Sequence, residues 1–223
     1  TAKPLGLGYG LNVPGLTITV RAKNTATGLL NTQADAELLL SRPTGHPDIL
    51  NELISVQPTF NVLGSGSDGH YGSNNPLPLW AQEDYVVRAT GTITIPVSGV
   101  WTFGINSDDG GKILIDGTVV MNDPTLHGPV DFLGQRTLTA GNHTIEAYFW
   151  ERGGGDEGEL YAGQGAYTAW NSAMRLVGDT AAGGLAAFTV PVGTGSAGVA
   201  VRTNIESVMK NVNASCFVRA PFA

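Results

Sequence analysis

Scarcities frame this sequence before its motifs do. It has a single cysteine, Cys216, so no disulfide can form within the chain, and the thiol reads as a small buried hydrophobe. Charged residues make up only 14%, against roughly 25% in an average soluble domain. Twelve of them are Lys or Arg, in no cluster, which leaves nucleic acid without an electrostatic footprint. No apolar run approaches the ~20 residues that cross a bilayer, so membrane insertion by a helix is not expected. The histidines His46, His70, His127 and His143 are scattered and show no zinc spacing. What is plentiful points elsewhere. With 31 glycines and 12 prolines, a coiled coil or helical bundle is excluded, because glycine and proline both weaken helix interiors. Hydrophobic residues reach 42%, enough for a sizeable core in 223 residues and too many for disorder. Nineteen acidic residues leave a net charge of −7, a surface that attracts cations.

The dominant period is two. Leu16 to Ala22 alternates apolar and polar residues, as a half-buried strand does, and Tyr85 to Ile95 repeats the pattern until Pro96 ends it by removing a ladder donor. Val100 to Ile105 alternates as well. Lys112 to Val120 reads as a hairpin about an Asp116-Gly117 turn. Gln135 to Thr139, His143 to Trp150 and Ser172 to Val177 complete the set, with a turn at Ala140-Gly141-Asn142. Short strands separated by Gly, Asp and Asn turns predict an all-β chain, an antiparallel β-sandwich with long loops at one end.

Two stretches depart from this rhythm. Residues 64–79, GSGSDGHYGSNNPLPL, form a long polar loop. Residues 180–198 are rich in Ala, Gly and Thr and read as a linker, interrupted by one short strand from Ala187 to Val190. The division expected is therefore a sandwich over 1–178 and a linker with a peripheral tail over 179–223. Asn204 to Val212 suits either a short amphipathic helix or an irregular strand. Sequons occur at Asn142 and Asn213.

Chemistry concentrates in two acidic turns. Asn106-Ser107-Asp108-Asp109-Gly110-Gly111 places two adjacent carboxylates between strong strands. They repel unless a cation or proton lies between them. In extended backbone they point to opposite faces, so both reach one ion only where the chain bends sharply, as a cis peptide allows. A solvated Asp-Gly turn is the plainer reading. The second turn, Glu151 to Leu160, carries four carboxylates in nine residues among glycines that leave carbonyls open. Ca²⁺ collects about 6–8 oxygens of these kinds.

Gly99-Val100-Trp101-Thr102-Phe103-Gly104-Ile105-Asn106-Ser107-Asp108-Asp109-Gly110, followed by Leu114-Ile115-Asp116-Gly117, resembles the signature of the anthrax protective-antigen domain family, the PA14 domain. Ile145 to Trp150 with Glu151-Arg152-Gly153-Gly154 is similar to its second signature strand and loop. The resemblance runs from about Tyr85 to Val177. It implies a protective-antigen-type sandwich and, in its flocculin and adhesin branch, a Ca²⁺-dependent lectin. There an Asp-Asp pair joined by a cis peptide holds the ion, and vicinal sugar hydroxyls fill the open positions. Carried over, Asp108 and Asp109 match the pair. Glu151 falls where the lectins present a side-chain oxygen, although they have Asn there and a shorter loop. The carbonyls of Gly153 and Gly155 and the Asp156 carboxylate are further candidates for the cage.

The expectation is a Ca²⁺-dependent carbohydrate-binding module of a larger secreted or cell-surface protein, not an enzyme. Asp108, Asp109, His70, Tyr71 and Trp150 are the residues expected at the sugar, with Trp80, Tyr161, Tyr167 and Trp170 near the same loops and Asn74 a possible donor. A glycosidase would need one carboxyl lifted by apolar surroundings, whereas these flank glycine turns. A non-catalytic structural or protein-interaction module is the remaining alternative.

Overall fold

The computed structural model describes residues 12–66, 69–81 and 83–189, all within one compact unit, Thr1–Val192. Cys216, the Asn213 sequon and the element expected over Asn204–Val212 lie outside them. The chain begins with β1 (Val13–Pro14) and β2 (Leu16–Lys23), then the helix α1 (Gln33–Ser41), β3 (Ile49–Gln57), β4 (Asn61–Ser65) and β5 (Asn75–Pro76). The long strands follow: β6 (Tyr85–Ile95), β7 (Gly99–Asp108), β8 (Gly111–Ile115), β9 (Thr118–Asp123), β10 (Val130–Leu138), β11 (Gly141–Glu151) and β12 (Asp156–Gln164). Two short ones, β13 (Arg175–Leu176) and β14 (Ala187–Thr189), close the described chain.

These strands form two sheets. The eight-stranded sheet is built about β6, which pairs with β11 along its length, with β2 over Tyr85–Thr90 and with β14 at Thr92 and Ile93. The six-stranded sheet is built about β7 and β12, flanked by β10 and β4. Every pairing is antiparallel except β4 with β5. Pro96 ends β6 as its missing N–H requires, and β7 continues in the other sheet. The Asp116-Gly117 turn joins β8 to β9 with both residues at positive φ, +49° and +70°, as a tight hairpin requires. The turn at Ala140 connects sheets rather than hairpin partners, since β10 pairs with β7 and β11 with β6 and β8.

Alternation sorts the side chains into layers. Ile18 and Val20 of β2, Val87 and Ala89 of β6, and Ala147 and Phe149 of β11 meet Phe103, Ile105 and Leu160 of the facing sheet in one buried core. Each such side chain contributes about 1.5–3 kcal/mol on burial. The opposite face of the larger sheet was expected to meet solvent. Instead α1 covers it, and Leu30, Ala36, Leu39 and Leu40 bury Val86, Tyr148 and Trp150 in a second core. Thr32 starts α1 through a reciprocal capping box with Asp35. Arg21 of β2 ends it: one guanidinium nitrogen donates to the carbonyls of Leu39, Leu40 and Arg42 at 3.0, 2.9 and 2.8 Å. All eight residues of β2 are consequently buried, on both faces.

Two expectations change in extent. The closing strand predicted over Ser172–Val177 is only β13. The sheet also continues past Gly178, because β14 pairs with both β1 and β6, so the part of the expected linker up to Thr189 is built into the sandwich.

Candidate metal centre

Four loops meet at one end of the sandwich. They are the β7–β8, β9–β10 and β11–β12 connections and the start of the β4–β5 loop, brought together because Asp108 lies opposite Glu157, Val130 opposite Ser107, and Asp156 opposite Ser65. The Asp108–Asp109 peptide is cis, as the family resemblance implies, and the chain passes from one sheet to the other across it. Backbone bonds clamp this crossing to the end of β11: Asp109 N–H donates to Trp150 O at 3.0 Å, and Trp150 N–H donates to Gly110 O at 3.1 Å. Gly110 has no room for a side chain, since a Cβ there would stand 2.8 Å from the Thr125 carbonyl and 3.1 Å from the Trp150 indole nitrogen.

Asp108, Asp109 and Glu151 are all buried, and one carboxylate oxygen of each lies within 4.8 Å of the others. Their surroundings differ. Asp109 accepts the N–H of His127 on one oxygen and the N–H of Arg152 on the other, both at 2.9 Å. Among the described residues, neither oxygen of Glu151, which is fully buried, receives a hydrogen bond that meets ordinary geometry. Burial, reinforced by the charges of Asp109 and Asp108, pushes the Glu151 pKa up to about 9, with the Gly153 N–H pulling weakly the other way. Burial and the Asp109 charge raise Asp108 to about 6. Among the described residues no Lys or Arg pairs with any of the three. The Arg152 guanidinium turns instead to Asp84 at 3.3 Å and Asn31 at 3.2 Å.

The other expected cage members divide. Asp156 is buried nearby and adds to the charge felt by both Asp108 and Glu151. Its own oxygens are taken by the Ser65 N–H and the Tyr85 hydroxyl. Gly155 borders Asp108, whose Oδ2 would lie 3.7 Å from a Cβ at that position. Gly153 faces the Glu83 side chain, 3.7 Å from the corresponding point. Sequence reasoning missed the β9–β10 loop. There His127 supplies its N–H to Asp109 while its ring sits between the Asp123 carboxylate and the Gly128 carbonyl, beside Phe132. No spacing rule marks that residue, because only the tertiary fold brings β9 to the crossing.

Of the expected sugar-contacting residues, Trp150 needs correction. Trp150 has no exposed surface: strand alternation turns it away from the main core and under α1, against Leu30 and Leu39. His70 and Tyr71 do not join the carboxylate trio. Their backbone N–H groups both donate to Glu159, at 2.8 Å each, and the His70 ring stacks on Trp170 at 4.0 Å while contacting Asp131 at 2.8 Å. Asn106 and Tyr161 also donate to Asp131, at 2.8 and 2.7 Å. Trp80 packs partly buried against the main core. The premise used against catalysis is also revised: despite the glycine turns, burial lifts the Asp108 and Glu151 carboxyls above their ordinary acidity.

The chemistry of the set is that of a hard-cation site. Among the described residues it holds buried carboxylate oxygens with no Lys or Arg paired to them, Glu151 with no hydrogen bond of ordinary geometry, and no nitrogen or sulfur ligand among the three. Such a cluster could hold a metal ion.

Residues 69–170 match the family model of the PA14 domain. No curated protein matches the chain. Solved structures do. The PA14 domain of the MpAFP antifreeze protein aligns with a TM-score of 0.55 and 16% identity, covering 81% of this chain and 94% of that one. A PA14 sugar-binding domain from an RTX adhesin aligns with a TM-score of 0.51 and 21% identity, covering 74% and 98%. At these identities the likeness is one of fold.

Proposed function

Taking residues 69–170 as a PA14 domain, we propose that this protein is a Ca²⁺-dependent carbohydrate-binding module. Asp108, Asp109 and Glu151 would hold the ion, with Asp156 adding negative charge and the carbonyls of Gly153 and Gly155 as further donors. The observation that carries the reading is Glu151, a fully buried carboxylate that, among the described residues, has no Lys or Arg paired to it and no hydrogen-bond donor of ordinary geometry at its oxygens. Burying an unpaired carboxylate is costly, and a dication relieves that cost for all three acids together. When bound, Ca²⁺ supplies open coordination positions that two neighbouring sugar hydroxyls can fill in place of water. The sugar-binding PA14 domain that shares this fold supports the ligand class. The same reading makes the chain a non-catalytic part of a larger secreted or surface protein; no helix among the described residues is long and apolar enough to cross a membrane.

Calcium titration followed by calorimetry, and a glycan array read with calcium and with EDTA, test this together. Calcium binding and an EDTA-sensitive glycan signal are expected, and Asp109→Ala removes both. Absence of calcium binding overturns the metal site. Calcium binding with an array blank under both conditions leaves a metal-stabilised structural module and overturns the lectin reading.

A further inference from the structure

His70 and Tyr71 lie on one wall of a cleft away from the carboxylate trio. The other wall is the chain from Leu176 to Ala181, and the volume between them is about 630 Å³, within the roughly 300–1,000 Å³ usual for ligand sites. We propose that this cleft is a second, calcium-independent binding site for a neutral sugar residue. The polyol class leans on the lectin reading above; the cleft and its chemistry do not.

The wall carrying Tyr71 is rigidly placed. Glu159 on β12 takes the Tyr71 N–H at 2.8 Å, and the Trp170 indole N–H donates to the Tyr71 hydroxyl at 3.1 Å. Asn75 is pinned through its amide nitrogen to the Thr59 carbonyl at 2.7 Å. Ser73 holds a left-handed backbone, φ +61°, a conformation that costs a side-chain-bearing residue free energy and gathers at ligand sites. On the opposite wall Asp179 caps a single 3₁₀ turn, accepting the Ala182 N–H at 3.1 Å with one oxygen.

The fixed scaffold leaves hydrogen-bonding capacity unused. Among the described residues, the hydroxyls of Ser73 and Thr180, the amide oxygen of Asn75 and the second oxygen of Asp179 make no hydrogen bond, and all four residues line the cleft. Two hydroxyls, an amide and a carboxylate beside an aromatic ring suit a ligand that presents several hydroxyls and one C–H face. A lone carboxylate does not make a cation cage. Among the described residues no Lys or Arg lines the cleft, and Asp179 repels anions, so a phosphate or a nucleotide is disfavoured. None of the carboxylates of the metal centre lines it, and a ligand there needs no ion.

Saturation-transfer NMR with a panel of methyl glycosides of neutral hexoses tests the cleft on the full chain, in calcium and in EDTA. At least one glycoside should keep its signal in EDTA and in Asp109→Ala. That signal should weaken in Ser73→Gly and in Asp179→Asn and vanish in the double variant. Both substitutions preserve local structure, since glycine accepts the φ and Asn retains the cap oxygen; unchanged melting temperatures verify folding. An EDTA-resistant signal that survives the double variant overturns the site. So does glycoside binding that is wholly calcium-dependent, although that result leaves the lectin reading intact. Conversely, EDTA-resistant binding alone, with no calcium effect, supports the cleft and overturns the calcium reading. Stronger binding of phosphate than of any glycoside also overturns the proposal.

Discussion

Glu151 is the residue at which sequence and environment disagree most sharply. At the end of a strand, followed by Arg and three glycines, it looks solvated, yet it is fully buried and held up to about pKa 9 by burial and then by Asp109 and Asp108. Asp108 is held up to about 6 for the same reasons. A carboxyl whose folded pKa exceeds its unfolded value, about 4, keeps protons that the unfolded chain has released. The resulting stability is present below the unfolded pKa and is lost as pH rises through the folded one. In EDTA, then, the melting temperature should fall between about pH 5 and pH 9, and Glu151→Gln, which cannot ionise, should flatten much of that fall. Thermal melts across the range decide it: equal slopes in both proteins would mean that Glu151 is not buried as an acid.

Among the elements, α1 was the least legible. The strands announce themselves by alternation, and β2, β6, β7, β8 and β11 fall where the period of two puts them. The helix has only nine residues, and its signals are subtle: Thr32 three residues before Asp35, then apolar Ala36, Leu39 and Leu40 at helical spacing. Missing it also misplaced Trp150, whose cover α1 helps to supply. Its contribution is measurable by denaturant unfolding. Leu39→Ala should cost about 2–5 kcal/mol as a buried truncation, and Thr32→Ala about 1 kcal/mol as a lost cap. Losses near zero for both would show that the outer face of the sheet does not depend on α1.

At the scale of the whole molecule, the candidate metal centre was half legible. Asp108, Asp109 and Glu151 could be picked out because a motif and a strand end mark them. The contribution of His127 could not, since eighteen residues and a hairpin separate it from Asp109 and only sheet pairing closes that gap. His70 and Tyr71 are held against Glu159 and Trp170 and stand outside the carboxylate trio, a placement that nearness in sequence to acidic loops does not reveal. Calcium that binds only the folded chain should stabilise it by about 2.7 kcal/mol at a hundredfold excess over its Kd. A melting temperature indifferent to calcium would remove the ion from this end of the sandwich.

Asp108 finishes a strand of the six-stranded sheet, and Glu151 finishes a strand of the eight-stranded one. An ion gripped by both would therefore be a rivet through the two layers. With calcium bound there, tension that slides one layer over the other at that tip would first have to rupture metal–oxygen bonds, so the domain should stiffen in calcium-rich surroundings and slacken where the ion is scarce.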